Sequence, residues 1–276
     1  MIKKYVLNQK NRIQKQTQKF ESFSEENQEN VRSSLKYSLS FKNISLLRNV
    51  TREPIHCIED NYSKSKVCFF SEYNILYVAF QMTVSIRDML FDLDMRVTKW
   101  PYFINRKRSF VHRGFAHKYF RLRSKYLEFV KEYVTNYPNT QIILTGHSLG
   151  GALALLAASD EKSNISSYVK NVFAFGSPEI GHKIWAQNIE NLYTSEQIYR
   201  LHSLRDLIPK VYNPLFTHVG NEIHLDAIEK SPLVSISHYL FQGIGKYYPS
   251  PLFYAELLFG DENMVRQELY LLQQNY

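Results

Sequence analysis

The sequence predicts an α/β fold: a mainly parallel central sheet covered by helices, with helical extensions at the N- and C-termini. Two observations carry this reading. From Ile75 onward, short apolar runs that suit buried strands alternate with longer amphipathic stretches that suit helices, as when helices cross over between parallel strands. Within that region, Gln141-Ile-Ile-Leu-Thr-Gly-His-Ser-Leu-Gly-Gly-Ala-Leu-Ala154 reads as a strand that delivers a serine into a turn opening a helix. Three of the chain's 10 glycines, Gly146, Gly150 and Gly151, surround Ser148. A serine on so sharp a bend is strained, and only hydrogen side chains two residues before and after it avoid collision.

The elements follow in order. Residues 1–50 are rich in Gln, Asn, Lys and Ser, with Val31, Leu35, Leu39, Ile44 and Leu47 spaced for one or two amphipathic helices. Three extended runs come next, Ile55–Glu59, Val67–Phe70 and Ile75–Phe80, separated by polar turns. Val84–Leu93 reads as a short helix, and residues 94–110 as an irregular basic and aromatic loop. A long helix spans Phe115 to Tyr137 and stops before Pro138, because a residue preceding proline resists helical geometry. After the serine turn come a strand at Val172–Phe175, a helix at Ile184–Asn191 and strands at Gln197–His202 and Glu222–Leu225. The end of the chain carries Leu257, Leu258, Val265, Leu269 and Leu272 in a packing helix. No strong linker divides the 276 residues. The expected organisation is an N-terminal extension over 1–50, one catalytic domain over 51–240 and a C-terminal extension over 241–276 packed on it.

The formal net charge of +8 is unevenly placed: residues 1–20 hold six basic residues and no acid, and ten more lie between Asp94 and Lys125 against that single Asp. Such a surface favours anionic partners. No nucleic-acid fold signature stands beside it, so a solvated face or attraction to acidic lipid headgroups is expected rather than nucleic-acid binding. Cys57 and Cys68 make no disulfide scaffold and suggest no zinc site. They flank a hairpin, so they either meet across its strands or remain free thiols. No signal peptide and no apolar run of about 18 residues is read, which favours a cytoplasmic or peripheral-membrane location.

A serine is a weak nucleophile until a neutral histidine takes its proton and a carboxylate fixes that histidine's tautomer. On a sheet of this kind the acid and then the histidine follow the serine on later loops. Asp206, just after the strand ending at His202, fits the acid, with Asp226 as its rival. His238, in a late loop-like segment after Pro232, fits the base, with His218 as its rival. The backbone N–H of Leu149, at the positive end of the new helix, would face the developing oxyanion. No metal or organic cofactor is needed.

With these residues in place, the chain resembles the class 3 lipases, a fungal triacylglycerol lipase-like branch of the α/β-hydrolases. The resemblance runs from about Ile75 to Tyr239. Its motifs are Tyr77-Val-Ala-Phe80, Val111-His-Arg-Gly-Phe115, the Gly146–Gly151 elbow, Phe175-Gly-Ser-Pro-Glu-Ile-Gly181, the acid loop from Tyr199 through Asp206 to Pro209, and Phe216-Thr-His-Val-Gly220. It implies an α/β-hydrolase fold, a Ser148–Asp206–His238 triad, a structural role for His218, and Thr83 as a second oxyanion donor beside Leu149. It also implies that residues 94–110 form a lid, with Trp100, Phe103 and Ile104 as its apolar candidates. The other reading of that stretch is an ordinary loop with one buried Trp anchor. One departure stands out: Gln81-Met82 occupies the place where the family usually has arginine and glycine before the threonine or serine. The expected activity is hydrolysis of lipid carboxylic esters, triacylglycerol or phospholipid, with peripheral contact to an anionic membrane. The alternative is a non-catalytic lipid- or partner-binding protein on the same scaffold. The oligomeric state is not legible.

Overall fold

The structure, a computed structural model, describes residues 23–39, 53–82, 96–202 and 215–224. Helix α1 (Glu25–Leu39) leads into strands β1 (His56–Asp60), β2 (Ser65–Glu72) and β3 (Ile75–Met82). Two three-residue strands, β4 (Val97–Lys99) and β5 (Phe110–His112), precede the long helix α2 (Arg113–Asn136). Then come β6 (Gln141–His147), α3 (Leu149–Ala158), β7 (Val169–Phe175), α4 (Lys183–Glu190), β8 (Ile198–His202) and β9 (Asn221–His224). The main sheet has the order β1-β2-β3-β6-β7-β8-β9. Its first three strands form an antiparallel meander, and every pairing from β3 to β9 is parallel.

Side-chain alternation sends the two faces of the sheet into separate cores. On one face Leu76, Val78, Phe80, Ile142, Leu144, Val172 and Ala174 meet residues of α2, α3 and α4. On the other, Tyr77, Ala79, Ile143, Phe173 and Phe175 meet Val31, Leu35 and Tyr37 of α1. Helix α1 is therefore a wall of this sheet. Tyr37 stacks on Phe70 with ring centroids 4.1 Å apart, and Tyr77 donates its hydroxyl proton to Asn30 Oδ1 at 3.0 Å. All ten residues of α3 are buried, because the sheet lies beneath the helix and α2 packs against it as well. A helix apolar all round belongs in such a position.

The expected strands are present with ends moved by one to three residues; β7, for instance, begins at Val169 rather than Val172. The larger difference lies in 94–110, whose flanks pair as β4 and β5, with Val97 opposite His112 and Lys99 opposite Phe110. Strands of three residues carry too little alternation to be read from sequence. Cys57 stands directly opposite Cys68 with Cα atoms 4.1 Å apart, and the two are joined by a disulfide. The helix expected at Val84–Leu93 and the C-terminal helix lie outside the described residues. No described helix is long and apolar enough to cross a membrane.

One polar knot sits where α2 passes the end of α3. The Asp160 carboxylate is fully buried and accepts hydrogen bonds from Arg123 at 2.6 and 3.2 Å and from the Tyr119 hydroxyl at 2.7 Å. A buried charge is tolerated only when so paired. Arg123→Ala is expected to lower the unfolding free energy by about 3 kcal/mol in urea titrations. Arg121→Ala, which breaks the more exposed pair with Asp60, is expected to cost less than about 1 kcal/mol. Equal losses at the two positions would contradict this reading of the knot.

Candidate active site

Ser148 lies between β6 and α3, at φ +55° and ψ −119°. That region of backbone space is left-handed and costs a non-glycine residue roughly 1–3 kcal/mol. The turn is held shut from both sides. A Cβ built on Gly146 would fall 2.2 Å from the carbonyl carbon of Gly150, and one on Gly150 would fall 2.1 Å from the Phe80 carbonyl oxygen. No side chain fits either gap. The Ser148 N–H donates to the Phe175 carbonyl at 2.7 Å, tying the bend to the end of β7. Ser148 is only 1% exposed.

Leu149 is the first residue of α3, so its N–H has no acceptor within the helix. No acid occupies the first turn. The positive end of the helix dipole therefore faces Ser148 without a neutralising charge from the helix itself. This arrangement favours negative charge beside the serine hydroxyl, as an acyl-transfer intermediate requires.

Beneath the bend, Thr145 is fully buried. Its hydroxyl donates to the Phe173 carbonyl at 3.0 Å, and Ser38 Oγ of α1 lies 2.9 Å from Thr145 Oγ1. Ser38 in turn donates to the Ser34 carbonyl at 2.7 Å. Sequence reading passed over these hydroxyls; the signal was a lone threonine in an apolar strand and a serine pair four residues apart on α1.

Two buried histidines, His112 and His202, are engaged by neighbouring side chains. His112 stacks on Phe115, with centroids 4.2 Å apart, and lies 5.8 Å from Phe216. His202 Nε2 is 3.0 Å from Glu222 Oε1, a link between β8 and β9 that the sequence did not reveal. Nearby, Arg200 Nε donates to the Val219 carbonyl at 3.0 Å; burial draws the guanidinium's pKa below its usual value, against the opposing pull of Glu222, Glu179 and Glu190. His147 is buried beside Ser148. Among the described residues no three metal-binding side chains converge.

Asp206, His238 and Thr83, with the rival Asp226, lie outside the described residues. Strand β3 runs through Gln81 to Met82, and Met82 pairs with Ser65. The backbone at 82 is thus extended, a conformation open to any residue, so the missing glycine imposes no strain at that position. Gln81 Oε1 is buried there and has no hydrogen-bond partner among the described residues.

The lid candidates are not brought to Ser148. Trp100 is buried and donates its indole N–H to the Ser159 carbonyl at 3.1 Å. The Ile104 N–H and the Arg106 guanidinium both reach Glu161, at 2.8 and 2.9 Å. Phe103 packs against the same core. Ser159 and Glu161 follow the C-terminal end of α3, whereas Ser148 caps its N-terminal end, roughly 15 Å of helix away. Trp100 has the burial of the anchor in the other reading, and the Ile104 N–H is held at the same end of α3.

A family model described as Lipase (class 3) matches residues 77–216. The lipase of Rhizopus niveus is 32% identical over 139 residues, covering 49% of this chain and 34% of that protein. Phospholipase A1-IIbeta of Arabidopsis thaliana is 35% identical over 101 residues, covering 33% of this chain and 24% of that one. The chain thus spans about a third or less of these curated relatives' length. The solved structure of lipase II from Rhizopus niveus superimposes with a TM-score of 0.61 at 22% identity, over 72% of this chain and 81% of that one. The α/β-hydrolase fold expected from the motifs is therefore the fold of this protein.

If the strain at Ser148 is intrinsic to the bend, Ser148→Gly should raise the unfolding free energy by about 1 kcal/mol, because glycine adopts the same φ without penalty. Gly150→Ala should lower it by about 2 kcal/mol or more, since backbone must move. Thermal and urea unfolding of the two variants check both signs.

Proposed function

Since the chain belongs to the class 3 lipase family, we propose that it is a serine hydrolase of lipid carboxylic esters. The observation that carries this is the strained, glycine-framed Ser148 at the head of α3. In the proposed reaction Ser148 attacks the ester carbonyl while His238 takes the hydroxyl proton and Asp206 holds the imidazole in place. The N–H groups of Leu149 and Thr83 receive the oxyanion. Collapse expels the alcohol, protonated by His238, and leaves an acyl-enzyme. A water activated by the same histidine then releases the fatty acid and restores the serine.

Relatives named lipase and phospholipase A1 support triacylglycerol and glycerophospholipid alike as substrate classes. Peripheral contact with an anionic membrane belongs to the same reading. Residues 51–240 are proposed as the catalytic unit, with 1–50 and 241–276 as extensions, the first of which lays α1 against the sheet as one of its walls. The Cys57–Cys68 disulfide favours an oxidising compartment over the cytoplasm, because such bonds persist where thiols are not kept reduced. The alternative of a non-catalytic scaffold loses part of its motive, since Met82 sits in ordinary strand geometry.

A fluorophosphonate probe is expected to label the protein and to leave Ser148→Ala unlabelled; equal labelling of both, or of neither, overturns the proposal. Turnover of a short-chain nitrophenyl ester should fall on acidification, because only neutral His238 can accept the serine proton. A rate unchanged down to about pH 4 would remove a histidine base from the mechanism.

A further inference from the structure

The structure divides the basic stretch between Arg96 and Lys125 into two populations. One is consumed inside the fold: Arg106 pairs with Glu161, Arg121 with Asp60 and Arg123 with Asp160, and Lys118 donates to the Ser63 carbonyl. The other includes Lys99 and Arg108, at the outer face of a small sheet. Strands β4 and β5 are extended by isolated bridges from Val111 to Gly181 and from Gly181 to Thr217. Val111 and Trp100 turn into the core. Alternation sends Val97, Lys99 and Phe110 to the opposite side.

That outer face combines grease and positive charge. Val97 is 38% exposed, Ile184 40% and Leu215 57%. The Phe110 ring lies 5.7 Å from that of His182, which precedes Lys183 and Ile184, and His182 in turn lies 5.7 Å from Phe216, which follows Leu215. Arg108 stacks its guanidinium 5.1 Å above Phe110, presenting its charge at the apolar patch. Lys99, Arg108 and Lys183 are exposed and have no ion-pair partner among the described residues. Residues 96–127 contain no acid at all. The carboxylates of Glu222, Glu179 and Glu190 act on the buried Arg200.

From this charge complementarity we infer that the outer face of β4–β5, with Lys183, Ile184 and Leu215, docks the protein on an anionic lipid surface. The occupant is a bilayer rather than a folded partner: the apolar side chains are scattered among cations, which suits insertion between headgroups. The face is joined to the site through the turn 176–180. That turn leaves β7 beside Ser148, and Ile180 accepts the His112 N–H at 2.7 Å. The inference rests on the lipid-ester reading for its purpose, but its test does not.

The full chain is sedimented with vesicles of phosphatidylcholine alone and with vesicles that also carry phosphatidylserine. Binding is expected only to the second kind, and it should weaken as salt is raised. Each Lys or Arg near an anionic surface strengthens binding by about fivefold. Reversing two charges in Lys99→Glu/Arg108→Glu should therefore weaken it by more than about 25-fold, while circular dichroism and turnover of a soluble short-chain ester stay unchanged. Ser148→Ala should bind vesicles like the parent, so loss of catalysis and loss of docking are read separately. Equal binding to both vesicle types, full binding by the double variant, or a preference for duplex DNA over anionic vesicles would each overturn the inference.

Discussion

The contact on which the rest depends is the approach of α3 to the end of β3. Gly150 sits so close to the Phe80 carbonyl that not even a methyl group fits between them. With the helix start pinned there and β6 ending one strand away, the chain has a single residue in which to turn, and Ser148 takes the strained conformation that results. The same closeness explains the composition of α3. A helix pressed on the sheet and packed against α2 has room for Gly, Ala and Leu alone, and Leu149–Ala158 is built of nothing else. Strain at the serine is thus maintained by packing over the whole length of a buried helix.

The opposite face of the sheet stiffens the same bend. Ser38 of α1 meets Thr145 three residues before the serine, and Thr145 also bonds across to β7 at Phe173. The Ser148 N–H then closes on Phe175 of that strand. The nucleophile is therefore registered to β7 both below and at the turn. Reactive geometry on a rigid strand–helix junction needs no rearrangement when charge develops, the condition under which helix-dipole and N–H stabilisation are most effective.

Much of this was legible in the chain. The apolar run Ile142–Leu144 and the glycines at 146 and 150 left one consistent interpretation, because those residue types have few other uses at that spacing. The interpretation of 94–110 mixed two signals. Trp100 and Ile104 looked amphipathic beside Arg106 and Lys107, yet the partners that decide their placement, Ser159 for Trp100 and Glu161 for Ile104, lie more than fifty residues away in sequence. Periodicity carries no information about such a partner. The same limit hid the His202–Glu222 link and the Asp160 knot, both made between elements distant along the chain. Cys57 and Cys68 could be placed on one hairpin from sequence, but their pairing depended on register, which a one-residue slip would have undone.

The central claim, that this bend makes Ser148 a nucleophile, is tested most directly by trapping the acyl-enzyme. The protein is mixed with a nitrophenyl ester, quenched in acid during turnover and mapped by peptide mass spectrometry. The account requires the acyl group on the peptide carrying Ser148, at close to one per active chain. Turnover with no acylated peptide, or with the acyl group on another residue, would contradict it.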